Sequence, residues 1–234
     1  MLRTIKSLIG FPMEASDGEI GKVEEFYFDD KTWNIRYLIV DTGNWLSGRK
    51  VLIAPSALVS ISETAESLPV NLTKEQIRSS PDIDTDKPVS RRQEIELYGH
   101  YAWKSYWGSG FYAGGFWKAN DAAVIDEERI KDLGNSDPRN PEDPHLRSTK
   151  LVNGYHIQAW DGDIGHVSDF VVNDQTWHIG SLLVDTHNWI GGKKVLIAIE
   201  HIKEIQWDQS KVLVELTSEA IKNSRKAEEL NYIA

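Results

Sequence analysis

Two acid–base couples recur in this chain at the same spacing, Asp41 with Lys50 and Asp185 with Lys194. Each couple flanks a short loop, so its members would face each other across a hairpin. Buried together with shifted pKa values, such a couple can pass a proton. Left in water it is a cross-strand ion pair contributing less than about 1 kcal/mol. The other reactive residue types are sparse. His100, His145, His156, His166, His178, His187 and His201 are scattered, and none forms an i,i+4 helical pair with a nearby carboxylate of the kind a metalloenzyme uses. Cysteine is absent, which removes thiolate nucleophiles, disulfides and cysteine zinc sites. The turns Asp29-Asp30 and Asn173-Asp174 lack the spaced ligands and closing glutamate of a calcium loop and read as hairpin turns. No helix follows Gly18-x-x-Gly21 or Gly162-x-x-Gly165 to make a phosphate cradle, so these glycines read as backbone devices. No Ser-centred elbow, Walker loop or dinucleotide fingerprint stands in the chain. The expectation is a non-enzyme with no catalytic residues, no cofactor and no metal.

Aromatic residues make the better candidates, because they anchor protein contacts. Trp45-Leu46 and Trp189-Ile190 sit inside the loops Asn44–Lys50 and Asn188–Lys194. There they either plug the end of the fold or project as partner anchors. A second group, Tyr98, Tyr101, Trp103, Tyr106, Trp107, Phe116 and Trp117, crowds one short stretch. That many rings left in water would forfeit several kcal/mol of burial at about 25 cal/mol per Å². The stretch from Tyr98 to Trp117 is therefore expected to be ordered and buried against a barrel or a second chain, with docking on a membrane surface the less favoured alternative.

The elements that must position these residues occur twice. Gly10 to Ser80 aligns without a gap onto Gly154 to Ser224. Asp17-Gly-Glu-Ile-Gly21 returns as Asp161-Gly-Asp-Ile-Gly165, Val40-Asp-Thr-Gly-Asn-Trp45 as Val184-Asp-Thr-His-Asn-Trp189, and Lys50-Val-Leu-Ile-Ala54 as Lys194-Val-Leu-Ile-Ala198. A constant offset over a whole module points to duplication of one folded unit. Within the first copy, strands are expected over Gly10–Ala15, Ile20–Phe28, Trp33–Thr42, Arg49–Ala54, Leu58–Ser62 and Leu68–Leu72, with turn residues between them. Ile20, Val23 and Phe26 break strict alternation, which suits a bulge. Ile20, Val23, Phe26, Leu38, Val40, Val51 and Ile53, with Ile164, Val167, Phe170, Leu182, Val184, Val195 and Ile197, are the expected cores. A short helix should close each copy, with Thr73 and Thr217 as N-caps; the second helix either stops there or continues to Leu230.

This order of motifs, Asp-Gly-x-Ile-Gly-x-Val, an Asp-rich turn, Trp, a strand ending Val-Asp-Thr, an Asn-Trp loop and Lys-Val-Leu-Ile, resembles the PRC-barrel family. The resemblance runs from about Leu8 to Ser80 and Val152 to Ser224, and is nearest in kind to bacterial proteins with two such domains. It implies two small antiparallel β-barrels, each followed by a short helix, used for assembly and docking. It supplies no catalytic constellation. Relatives include the cytoplasmic domain of a photosynthetic reaction-centre subunit and the C-terminal domain of a ribosome-maturation factor, so a ribosome-associated role through a protein partner is one alternative. A ligand-binding or catalytic cleft between the barrels is another.

The expected organisation is a first barrel at 1–80, an aromatic insert and linker at 81–149, and a second barrel with a C-terminal helix at 150–234. A net charge of -10, from 26 Lys and Arg against 36 Asp and Glu, disfavours direct nucleic-acid binding and docking on anionic lipid. No stretch has the apolar length of a signal peptide or membrane span, so cytoplasmic residence is expected. The expected partner is a protein, with a homo-oligomer as one form of it.

Overall fold

The computed structural model describes residues 1–59, 61, 66–83, 89–107, 145–186, 193–224 and 232–233. It divides into two compact units, one made of Met1–Lys74 with His145–Ala234 and the other of Glu75–Pro144. The first copy up to Lys74 and the whole of the second lie in the first unit, which is mainly β.

In chain order this unit opens with β1 (Leu2–Thr4) and a one-turn helix α1 (Ile5–Leu8). The first copy continues as β2 (Pro12–Ala15), β3 (Gly18–Asp29), β4 (Ile35–Asp41), β5 (Lys50–Ile53) and β6 (Leu68–Pro69), reaching α2 (Lys74–Arg78) at the boundary between the units. The second unit holds α3 (Arg91–Tyr101). The chain re-enters the first unit through β7 (Leu146–Ser148) and α4 (Thr149–Val152). Then come β8 (His156–Ala159), β9 (Gly162–Asn173), β10 (His178–Asp185), β11 (Lys194–Ala198), β12 (Ile202–Gln206), β13 (Lys211–Val214), α5 (Ser218–Lys222) and β14 (Tyr232–Ile233).

Two sheets result. One has the order β5-β4-β3-β2-β6, the other β11-β10-β9-β8-β13-β12. All fourteen residues expected in the cores are buried, none more than 2% exposed. The broken alternation in β3 is a bulge, seen as a register shift between Val23 and Glu25 against β4. Of the expected strand Leu58–Ser62, the described part shows one bridge, Leu58 to Val70. α5 ends at Lys222 with Asn223 as its C-cap, and residues beyond Ser224 on the expected extension lie outside the described set.

Gly21 and Gly165 explain why the glycine pattern repeats. Both have positive φ, and a Cβ on either would lie 2.0 Å from a backbone oxygen, Asp41 O or Asp185 O. The missing side chain is what lets β3 and β9 pass that close to the ends of β4 and β10.

The sheets are completed reciprocally. β1, at the start of the first copy, pairs antiparallel with β9 of the second, and β7, at the start of the second copy, pairs with β3 of the first. Leu2-Arg-Thr4 and Leu146-Arg-Ser148 are thus equivalent arms, and the repeat extends back beyond Gly10 and Gly154. The Arg3 guanidinium donates to Asp174 at 2.8 Å, and Arg147 donates to Asp30, the matching position, at 2.9 Å. Between the arms the backbones cross-link symmetrically: Ile35 N–H donates to Trp177 O and Ile179 N–H to Trp33 O, each at 2.8 Å. Both tryptophans hold left-handed backbone, φ 57 and 56, a conformation that is costly for a bulky residue and persists only where the surroundings over-determine it. Phe26 stacks with Trp177 at 6.1 Å between ring centres, and Phe28 meets Phe170 at 5.7 Å, so aromatic rings fill this seam.

Carboxylates at the seam are pushed both ways. Burial drives the Asp174 carboxyl up, but hydrogen bonds from the Met1 amine and Arg3 and their charges outweigh it, leaving it below the ordinary range. Glu25 and Asp169, again equivalent positions beside the exchanged arms, are raised, chiefly by burial; Ser148 donates to Glu25, and the Lys6 N–H to Asp169.

Gly21→Ala and Gly165→Ala are each expected to destabilise the fold by about 3 kcal/mol or more, from positive φ combined with overpacking, measured as a shift in denaturant midpoint. The carboxylates give a second expectation. Asp174 releases its proton more readily folded than unfolded, so its contribution is full above the unfolded aspartate value of about 4 and is lost as pH falls through the lower folded value. The Tm gap between wild type and Asp174→Asn should therefore close in acid. Asp169 has the opposite linkage: its contribution is full below about pH 4 and is lost as pH rises through the raised folded value. The stability of wild type relative to Asp169→Asn should fall over that rise; parallel Tm profiles for the two variants would contradict this account.

Candidate functional site

A concave polar surface lies at the β4–β5 loop. β4 ends at Asp41, Thr42 Oγ1 donates to Arg49 O at 2.6 Å, and a 3-10 turn over Gly43–Leu46 carries Trp45. Asp41 Oδ1 accepts the Gly43 N–H at 2.9 Å and starts that turn. Trp45 is half-buried. Its indole N–H donates to Ile20 O at 2.7 Å, which fixes the ring against β3, while the Lys74 ammonium sits 4.7 Å from the ring centre. One edge of the indole is tied into the sheet, and the rest lines an open groove of about 470 Å³ with Glu19, Gly21, Lys22, Asp41, Thr42, Gly43, Asn44 and Lys74. Leu46 beside it is also half-buried.

Asp41 and Lys50 are opposite in register, and the Lys50 ammonium bonds Glu24 at 2.8 Å. β3 carries Glu24 at its bulge, and that bulge turns the carboxylate toward the lysine, a contact that spacing along one hairpin could not reveal. Asp185 and Lys194 are likewise opposite in register. The acidic turns are occupied by their own backbone: Asp29 Oδ1 accepts from the N–H groups of Lys31 and Thr32, and Asn173 Oδ1 from those of Gln175 and Thr176. His178 meets Asn34 across the seam at 3.2 Å. Among the described residues no three His, Asp or Glu side chains group as metal ligands.

The second copy keeps the loop bond but carries different charges. Thr186 Oγ1 donates to Lys193 O as Thr42 does to Arg49 O. At the positions of Lys22 and Lys74 stand His166 and Ser218. Trp189 and Ile190, at the positions of Trp45 and Leu46, lie outside the described residues. Asp17 and Asp161 have a role beyond their turns. Asp17 accepts the Lys74 N–H and Asp161 the Ser218 N–H, both at 2.7 Å, so each Asp-Gly turn fastens the start of the helix that closes its copy. Thr217 caps the second helix as expected, accepting from Ala220 N–H.

In the second unit the described aromatics cluster. Ser90 and Gln93 form a capping box that starts α3, a signal present in the sequence as Ser-x-x-Gln but masked there by the aromatic density. Tyr98 and Tyr101 are buried, Trp103, Tyr106 and Trp107 half-buried. Tyr101 stacks on Trp103 at 4.3 Å, Tyr98 meets Trp107 edge-on at 4.8 Å, and the Arg91 guanidinium lies 4.5 Å from the Trp107 ring centre. The Tyr106 hydroxyl donates to the fully buried Glu94 at 2.6 Å, and Glu94 pairs with Arg91 at 2.9 Å. These rings pack on one another around an internal ion pair. Phe116 and Trp117 lie outside the described residues.

Among the described residues no helix is long and apolar enough to cross a membrane. Comparison with curated proteins finds no match. The sequence profile of the PRC-barrel domain matches twice, over residues 3–76 and 159–221, one match to each repeat and together more than half of the chain. With the repeated strand order and the repeated glycine crossing, this makes the chain a member of the PRC-barrel domain family.

Proposed function

We propose that this protein is a non-enzymatic interaction module, its two sheets curled as the barrels of its family, and that the Trp45 groove is where a partner protein docks. The observation that carries this reading is the state of Trp45: a large ring held in place by a hydrogen bond to the sheet, yet half open to a groove of about 470 Å³. A pre-oriented aromatic loses little conformational freedom on binding, the property that makes Trp a frequent hot spot. The rim mixes the ammonium groups of Lys22 and Lys74 with the carboxylates of Glu19 and Asp41. Such a rim suits a peptide segment that offers an apolar side chain to the indole and charged neighbours to either side. Because His166 and Ser218 replace the two lysines, the second copy does not duplicate this preference.

The test is a cross-linking capture from the native cell with full-length bait, comparing wild type with Trp45→Ser and with Lys22→Glu/Lys74→Glu. Proteins captured by wild type should drop at least tenfold with either bait, while far-ultraviolet circular dichroism and Tm stay close to wild type. An unchanged capture profile from folded variants would remove the groove as the docking site.

A further inference from the structure

We infer that the seam between the two repeats is also an interface between chains: two copies of this protein can trade second repeats, the 146–148 arm of each completing β3 of the other. In the folded chain neither sheet is completed by its own copy. β3 takes its outer strand from β7, and β9 takes its outer strand from β1. The contacts of the seam join residues that precede position 75 in the sequence to residues that follow position 144: Arg3 with Asp174, Arg147 with Asp30, Ile35 with Trp177, and Ile179 with Trp33. None of these contacts distinguishes the chain's own second repeat from the second repeat of another copy. An exchanged dimer therefore forms the same seam twice and needs no new surface. The exchanged pair is the bimolecular form of the same seam, so the balance between it and the closed chain shifts with protein concentration. Once formed, the exchanged pair persists, because return requires both arms to unpair.

The Asp30–Arg147 ion pair turns this into a test by charge complementation. Full-length Asp30→Arg carries two arginines at that seam and Arg147→Asp carries two aspartates, in the closed chain and in a dimer with itself. Mixed, an exchanged dimer restores opposite charges at both seams: the arginine introduced at position 30 of one chain meets the aspartate introduced at position 147 of the other, and the native pair forms at the second seam. The two variants, denatured together and refolded at high concentration, should give a species of doubled mass containing one of each chain by native mass spectrometry, at several-fold excess over either self-pair. The double variant Asp30→Arg/Arg147→Asp, refolded dilute, should be a monomer. Self-pairs as abundant as mixed pairs would place the contact elsewhere and overturn the inference. Isotopically light and heavy wild-type chains co-refolded at the same concentration give the result independently of whether the variants fold. Mixed light–heavy dimers with wild-type circular dichroism that form on co-refolding, but not when the folded monomers are mixed at the same concentration, support exchange, and their absence after co-refolding overturns it.

Discussion

Two backbone hydrogen bonds at the seam, Ile35 N–H to Trp177 O and Ile179 N–H to Trp33 O, hold the arrangement on which the rest of the first unit depends. Each demands a tryptophan in left-handed backbone, at a cost of about 1–3 kcal/mol per residue. That cost is tolerated because the neighbouring bonds leave no other choice: Trp33 N–H donates to Asp29 O and Trp177 N–H to Asn173 O, while Asp29 and Asn173 fold their side chains onto the turn between. The turns, the tryptophans and the aromatic seam are one construction, and the exchanged arms close its two sides.

Much of this was legible in the residues. Gapless recurrence located both copies, and apolar identity kept in both picked out cores that are buried. The bulge in β3 followed from Ile20, Val23 and Phe26. The arms were harder to read, though Leu2-Arg-Thr and Leu146-Arg-Ser do repeat, because three residues carry little signal and their partners sit in the other copy. Pairing of that kind is a property of tertiary structure, which no local periodicity encodes. The Lys50–Glu24 bond escaped for the same reason, since it depends on where a bulge aims one carboxylate. Helix α3 was announced by Ser90 and Gln93, yet its low amphipathicity and dense aromatics hid it.

The candidate groove shows how a repeated scaffold acquires different surfaces. Gly21 and Gly165 keep the same close crossing, and Thr42 and Thr186 keep the same loop bond, so the framework beneath is shared. The rim is not shared: two lysines in one copy are a histidine and a serine in the other. Backbone demands fix the residues underneath, while the rim is free to vary and so can carry specificity.

The exchanged arms also set an order of events during synthesis. Arg3 and Asp174 are 171 positions apart, so the first copy leaves the ribosome long before anything can complete its β3 edge or receive its own arm. At about 5–20 residues per second that interval is on the order of ten seconds. For that time a bare strand edge faces the cell, the kind of surface that recruits other strands. Arrival of Leu146–Ser148 and then of β9 ends the exposure, and the nascent chain becomes self-contained only as its last third emerges.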